Sequence, residues 1–171
     1  SQVSLIETAH GILPNEDRDA AEIVEQQMLR DGVKLFCCGK DLNVQKMDAG
    51  KRLTVNSHGQ QYDVTVDEIL VGVGRTPNVE GIGLEAVGVE YDKNGVKVNA
   101  RLQTTNPRIF AAGDICSRYK FTHAADAMAQ IVIQNALFPH PFGIGYATVE
   151  SLNMPWCTFT EPEVAHVGMY E

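Results

Sequence analysis

Little in this chain suggests a metal site or a disulfide framework. Its four cysteines, Cys37, Cys38, Cys116 and Cys157, show no C-x-x-C spacing, so a zinc ribbon or a thioredoxin-like motif is excluded. So few thiols fit a reducing, cytoplasmic setting where they stay free. Basic runs are absent, and the net charge is −8. That speaks against nucleic acid, whose binding is dominated by phosphate neutralisation. No apolar run approaches the roughly 20 residues a helix needs to span a bilayer, so no membrane association is expected. There are no internal repeats and no low-complexity tract. The chain opens at Ser1, directly in a strand-like stretch without an initial Met, and reads as an internal piece of a longer protein.

What is present suits a soluble α/β protein. A hydrophobic share of 44% suffices for a true core. Val3 to Glu7 alternates into a strand that ends in an acid. Asp17 to Arg30 reads as a helix, with Ala20, Ile23, Val24, Gln27 and Met28 at helical spacing, and Gly32 stops it. Val33 to Cys38 is a second strand. From Leu42 to Val66 the period changes to two around His58-Gly59, the sign of a hairpin or meander. Ile69 to Val73 is continuously apolar, as expected of a strand buried on both faces. A short helix near Leu84 to Val87 precedes a hairpin over Val89 to Val98, turning through Asp92-Lys93-Asn94-Gly95, where Asn-Gly is a strong turn signal. A helix from about Thr122 to Leu137 has an apolar stripe of Ala125, Met128, Ile131 or Val132, and Ala136. Pro139 and Pro141 end it, and Met154 begins another strand.

The most informative stretch is Thr105 to Asp114, TNPRIFAAGD. A turn at Asn106-Pro107 leads into a short apolar run, Ile109 to Ala112, read as a strand, that ends in Gly113-Asp114. In open parallel sheets, ligands gather at the carboxyl ends of strands. Gly113 permits close approach of a ligand to the backbone. The Asp114 carboxylate accepts hydrogen bonds from hydroxyls but repels phosphate, so the preferred guest is a polyol such as a ribityl chain or a ribose.

This stretch resembles the second FAD-contacting motif of the pyridine nucleotide-disulfide oxidoreductases, with dihydrolipoamide dehydrogenase and mercuric reductase the nearest types. Ile69 to Asn78, ILVGVGRTPN, resembles the "vGRxPN" segment of that family. Pro155 to Ala165, PWCTFTEPEVA, resembles the opening of its dimerisation domain. The three occur in the order and spacing of the family. The resemblance implies an α/β fold: parts of two Rossmann-like FAD- and NAD(P)-binding domains with hairpin or meander insertions, plus the first strand of an α+β dimerisation domain. It implies that residues 1–72 belong to the NAD(P)-binding domain, 73–147 to the FAD-binding domain and 148–171 to the dimerisation domain. It further implies a homodimeric parent enzyme that passes electrons from a nicotinamide to FAD and on to a redox disulfide, with a disulfide or mercuric ion as substrate. The redox C-x4-C pair, both glycine fingerprints and the His-Glu pair of the family lie outside this sequence. No catalytic residue is therefore expected here, and the isolated chain is expected to be inactive. A related flavoprotein oxidase without the disulfide, or a non-catalytic nucleotide-binding module, are the alternatives.

On that resemblance Gly113 and Asp114 contact FAD, with Asp114 on the ribityl hydroxyls. Phe121, Thr122 and His123 bring the start of the following helix to the flavin, where the unpaired N–H groups of a first turn favour negative charge. Thr122 is otherwise an N-cap, and His123 is given no acid–base role. Glu7, at a strand end, would accept from the adenosine ribose hydroxyls and repel a 2′-phosphate, favouring NADH over NADPH. Gly74 lets the nicotinamide cofactor pass near the backbone. Arg75 and Asn78 read as braces of the crossover between domains. The vicinal Cys37-Cys38 reads as two buried small residues; a soft-metal or redox pair is the alternative.

Overall fold

A computed structural model describes residues 1–168, which form two compact units: residues 1–72 with the stretch that begins at Cys157, and Val73–Trp156. The fold is mixed α/β with small sheets, and each unit owes its shape to a different local pattern.

In the first unit β1 (Ser4–Ile6) and β2 (Lys34–Phe36) pair in parallel, joined through helix α1 (Arg18–Arg30). This is a βαβ unit, the building block of dinucleotide folds. Asp19 in the first turn of α1 and Arg30 in the last suit the helix dipole. Ala21 and Val24 form its buried face, whereas Ile23 is exposed. The buried face is thus displaced from the expected stripe of Ala20, Ile23, Val24, Gln27 and Met28 to Ala21 and Val24. Gly32 follows with φ 83°, the left-handed value that ends the helix. Then β3 (Lys40–Met47), β4 (Gly50–Ser57) and β5 (Gln60–Val66) form the expected antiparallel meander, with β4 in the centre. Leu53, Val55 and Ser57 of β4 are buried alternately, as period two requires. The Phe36 ring packs 4.8 Å from that of Tyr62. Beyond the second unit in the chain, β8 (Trp156–Thr158) pairs with β9 (Val164–His166).

In the second unit two apolar clusters share Val98 and Cys116. One centres on Val79, Val89 and Val96; the other on Leu102, Met128 and Ile131. Burying each of these side chains contributes about 1.5–3 kcal/mol. Helix α2 (Thr122–Leu137) supplies the second cluster and runs over the residues the sequence predicts. Its buried face is Ala124, Met128, Ile131 and Asn135, a shift from the stripe expected at Ala125 and Ala136. Asn135 is buried because it is a hydrogen-bonding hub. Its amide donates to the Arg101 and Ala147 carbonyls at 3.1 and 2.8 Å, and its oxygen accepts from Ala147 N–H at 2.9 Å.

Three expectations are corrected. Ile69 to Val73 is not a buried strand: Leu70 is 99% and Val73 90% exposed. An apolar run becomes a strand only where neighbours answer its N–H and C=O groups, and no described segment pairs with it. Ile109 to Ala112 is likewise no strand; it makes a single antiparallel bridge, Gln103 to Phe110. The hairpin of β6 (Tyr91–Asp92) and β7 (Gly95–Val96) forms as expected, with Lys93 and Asn94 between the strands. The Asp92 carboxylate takes the Asn94 N–H at 2.7 Å, which supports the turn. Thr122 does not cap α2; Phe121 is the capping residue, and no side chain bonds the exposed N–H groups.

Candidate functional site

The site is built around a short 3-10 turn, Gly113–Ile115, that connects the Ile109–Ala112 segment to the approach of α2. Gly113 is buried with φ 79°, and an added Cβ would lie 3.1 Å from the Ala125 Cβ. Only glycine lets the turn press against α2 in this conformation. From the other side the hairpin closes in: a Cβ on Gly95 would stand 2.1 Å from the Ile115 carbonyl oxygen. The turn is therefore held between the β6–β7 hairpin and α2, and Asp114 projects from it.

Asp114 is exposed. Its backbone carbonyl accepts from the Lys120 ammonium at 3.1 Å, as does that of Ser117 at 3.1 Å. The Lys120 carbonyl in turn accepts from Arg75 Nη1 at 3.1 Å. Lys120 thus ties the middle of the turn to Ser117 just beyond it, and Arg75 holds Lys120. Among the described residues no ion pair or hydrogen bond engages the Asp114 carboxylate. Both oxygens remain available to hydroxyl donors.

Asp114, Ile115 and Lys120 line a cleft of about 410 Å³ together with Arg75, Thr76, Pro77 and Asn78. Sequence reasoning missed Lys120 and read Arg75 and Asn78 as braces of the crossover between domains. Arg75 bonds the Lys120 carbonyl within the second unit, at the wall of the cleft. The signal was present in the GRTPN segment, whose proline and asparagine suit a loop rather than a strand. One carboxylate and two cations in one cleft make a coherent recognition set. The anion accepts from hydroxyls, and the cations retain N–H donors for phosphate oxygens. The residues present therefore fit a phosphorylated polyol such as the ribityl phosphate of a flavin.

The remaining candidates fall around this turn or apart from it. Thr122 and His123 open α2, whose first turn lacks a side-chain cap. His123 Nε2–H donates to the Pro155 carbonyl at 2.6 Å. Its ring stacks on Phe121 at 5.4 Å, and Phe121 on Trp156 at 6.2 Å. The Phe121 and His123 side chains thus belong to an aromatic packing group, leaving the backbone of the helix start to meet a ligand. Gly74, with φ 101° and nothing near its missing Cβ, precedes Arg75. Glu7 lies in the other unit, just past β1, where its Oε1 accepts from Ala9 N–H at 2.9 Å. Burial pushes the Cys116 thiol up to about 11, partly offset by Lys120. This cysteine is therefore an inert part of the core beneath the turn.

A βαβ unit in one compact unit and, in the other, an acid-bearing turn at a cleft are features of an α/β protein of the nucleotide-cofactor type. Residues 1–129 match the family described as pyridine nucleotide-disulphide oxidoreductase, and the chain belongs to that family. Over its full length it is 31% identical to a dihydrolipoyl dehydrogenase of Bacillus subtilis, covering 36% of that protein. It is 30% identical to a mercuric reductase of Staphylococcus aureus, covering 30% of it. It also superimposes on the Escherichia coli HOCl-induced flavoprotein disulfide reductase RclA, solved as a Cu(II) complex. There the TM-score is 0.83 and the identity 28%, over all of this chain and 38% of that one. The chain thus spans about a third of the length of these relatives. Among the described residues no helix is long and apolar enough to cross a membrane, and no group of three or more His, Cys, Asp or Glu side chains is placed to hold a metal ion.

Proposed function

We propose that the chain forms part of the cofactor-binding framework of an FAD-dependent, NAD(P)H-linked disulfide or mercuric ion oxidoreductase. The observation that carries this reading is the unpaired Asp114 carboxylate at a cleft shared with Arg75 and Lys120. Asp114 accepts from the ribityl hydroxyls. The Lys120 clamp fixes the direction of the turn, and the free N–H donors of Lys120 and Arg75 meet phosphate oxygens. Gly113, rather than leaving a passage for the cofactor as the motif suggests, lets the turn that carries Asp114 seat against α2. The open first turn of α2, at Thr122 and His123, favours negative charge on the facing ring by about 0.3–1 kcal/mol. FAD, when bound, supplies two-electron transfer between a nicotinamide and the acceptor.

In the same reading residues 1–72 serve the nicotinamide nucleotide. Glu7 accepts from a ribose hydroxyl with the oxygen not used by Ala9, and its charge favours NADH over NADPH. Gly74 gives the cofactor a side-chain-free passage. Residues 73–147 serve FAD, and 148–171 begin the interface of a homodimer. The free state of all four cysteines supports a cytoplasmic setting. Visible absorption of the purified intact protein tests the reading. A bound flavin, bleached by NADH without oxygen, is the expected result; a colourless protein that takes up no FAD overturns it.

A further inference from the structure

The first unit carries a side-chain pair with no place in that framework. At the carboxyl ends of β1 and β2 the Cys38 sulfur lies 3.2 Å from His10 Nδ1. The loop is fixed by its backbone: Cys38 N–H and Gly11 N–H both donate to the Ala9 carbonyl at 3.1 Å, and Gly39 N–H donates to the Glu7 carbonyl at 2.9 Å. Cys38 has φ 55°, the left-handed region, which costs a non-glycine residue about 1–2 kcal/mol. Backbone geometry alone would favour glycine or asparagine at this position. His10 is exposed and Cys38 half-buried, which leaves the pair open to small molecules.

Two of the other three thiols, Cys37 and Cys116, differ. Burial pushes Cys37 up, with Glu25 and Cys38 adding to the effect, and its carbonyl is held by the Ser57 hydroxyl. Cys116 is pushed up further. Neither has an imidazole within hydrogen-bond reach. With no cluster of three metal ligands among the described residues, the pair is suited to thiol chemistry rather than to holding a metal.

We infer that Cys38 and His10 form a reactive thiol–imidazole pair that is S-thiolated by low-molecular-weight disulfides. His10 Nδ1 takes the proton of the thiol, and the Cys38 thiolate attacks one sulfur of the disulfide. A new S–S bond to Cys38 forms and the old one breaks; the released thiolate takes the proton from His10. One disulfide is exchanged for another, and no further oxidant is consumed. The placement gives this reaction a consequence. The Ala9 carbonyl that anchors Cys38 belongs to the residue whose N–H holds the Glu7 carboxylate. A mixed disulfide therefore crowds the Glu7 loop and weakens nucleotide binding, a consequence that rests on the ribose reading of Glu7.

The test treats the intact protein with limiting glutathione disulfide and maps the mixed disulfides by peptide mass spectrometry. Cys38 is expected to react at least about tenfold faster than Cys37, Cys116 or Cys157, and His10→Gln to remove most of that advantage. Faster reaction at Cys37, Cys116 or Cys157 overturns the inference. So does an unchanged Cys38 rate in His10→Gln, with thermal unfolding showing that the variant is folded. NADH titration then separates the two readings. If Glu7→Gln binds NADH normally, the ribose assignment falls while the thiol result stands. If Glu7→Gln weakens binding but the Cys38 mixed disulfide does not, the proposed coupling is overturned.

Discussion

Replacing Asp114 by Asn removes one charge from the cleft and almost nothing else. The carboxylate is exposed and unpaired among the described residues, while the turn is held by backbone contacts. Lys120 bonds the Asp114 carbonyl, not its side chain, so the clamp survives. Gly113 and Gly95 still let α2 and the hairpin close on the turn. The expected change in thermal stability is within about 0.5 kcal/mol, as for other surface substitutions. The loss in ligand binding is much larger. A hydrogen bond to a charged acceptor contributes about 1.5–3 kcal/mol, so the amide should weaken FAD binding roughly 10- to 150-fold. Flavin fluorescence titration of the intact protein stripped of FAD measures this, beside a melting curve of the same sample. Two results would refute the reasoning. An unchanged dissociation constant means the carboxylate grips nothing; a large fall in melting temperature means it is structural.

Gly95→Ala should destabilise the second unit by about 2–4 kcal/mol, from the clash with the Ile115 carbonyl and the left-handed φ; chemical denaturation measures it, and a neutral result contradicts the packing described. Asn135→Leu leaves three backbone partners unanswered and should cost about 2–4 kcal/mol by the same assay; a stabilised variant would show that the hub is dispensable. Arg52 donates to both oxygens of Asp63 and holds its carboxyl below the ordinary value, first through the hydrogen bond. The folded pKa is the lower one, so this contribution is present above the unfolded value of about 3.9 and is lost as pH falls through the folded value. Asp63→Asn should therefore flatten the acid side of the stability curve at low salt, and the difference should vanish at about 1 M salt; persistence at high salt would contradict an exposed pair.

The parts legible from sequence were those set by local rules. The helices over 18–30 and 122–137 follow from periodicity, from Gly32 and from the prolines after Phe138. The meander follows from period two around the His58-Gly59 turn. Ile69 to Val73 misled because hydrophobicity records where a segment would be comfortable, not which neighbours pair with it. Asn135 escaped because a polar residue in an apolar stripe reads as a boundary until its partners, 12 and 34 residues away, are known. The cleft was legible in its acid but not in its cations. Asp114 stands at the end of a recognisable motif, while Lys120 and Arg75 meet across 45 residues through a backbone carbonyl. A bond from side chain to backbone leaves no pattern in composition or spacing.

The most direct test of the flavin assignment is a crystal structure of the intact protein with FAD bound. The account predicts an Asp114 carboxylate oxygen within about 3 Å of a ribityl hydroxyl, with Arg75 and Lys120 beside the phosphates. A flavin bound elsewhere, with the Asp114 carboxylate facing only solvent, would contradict it.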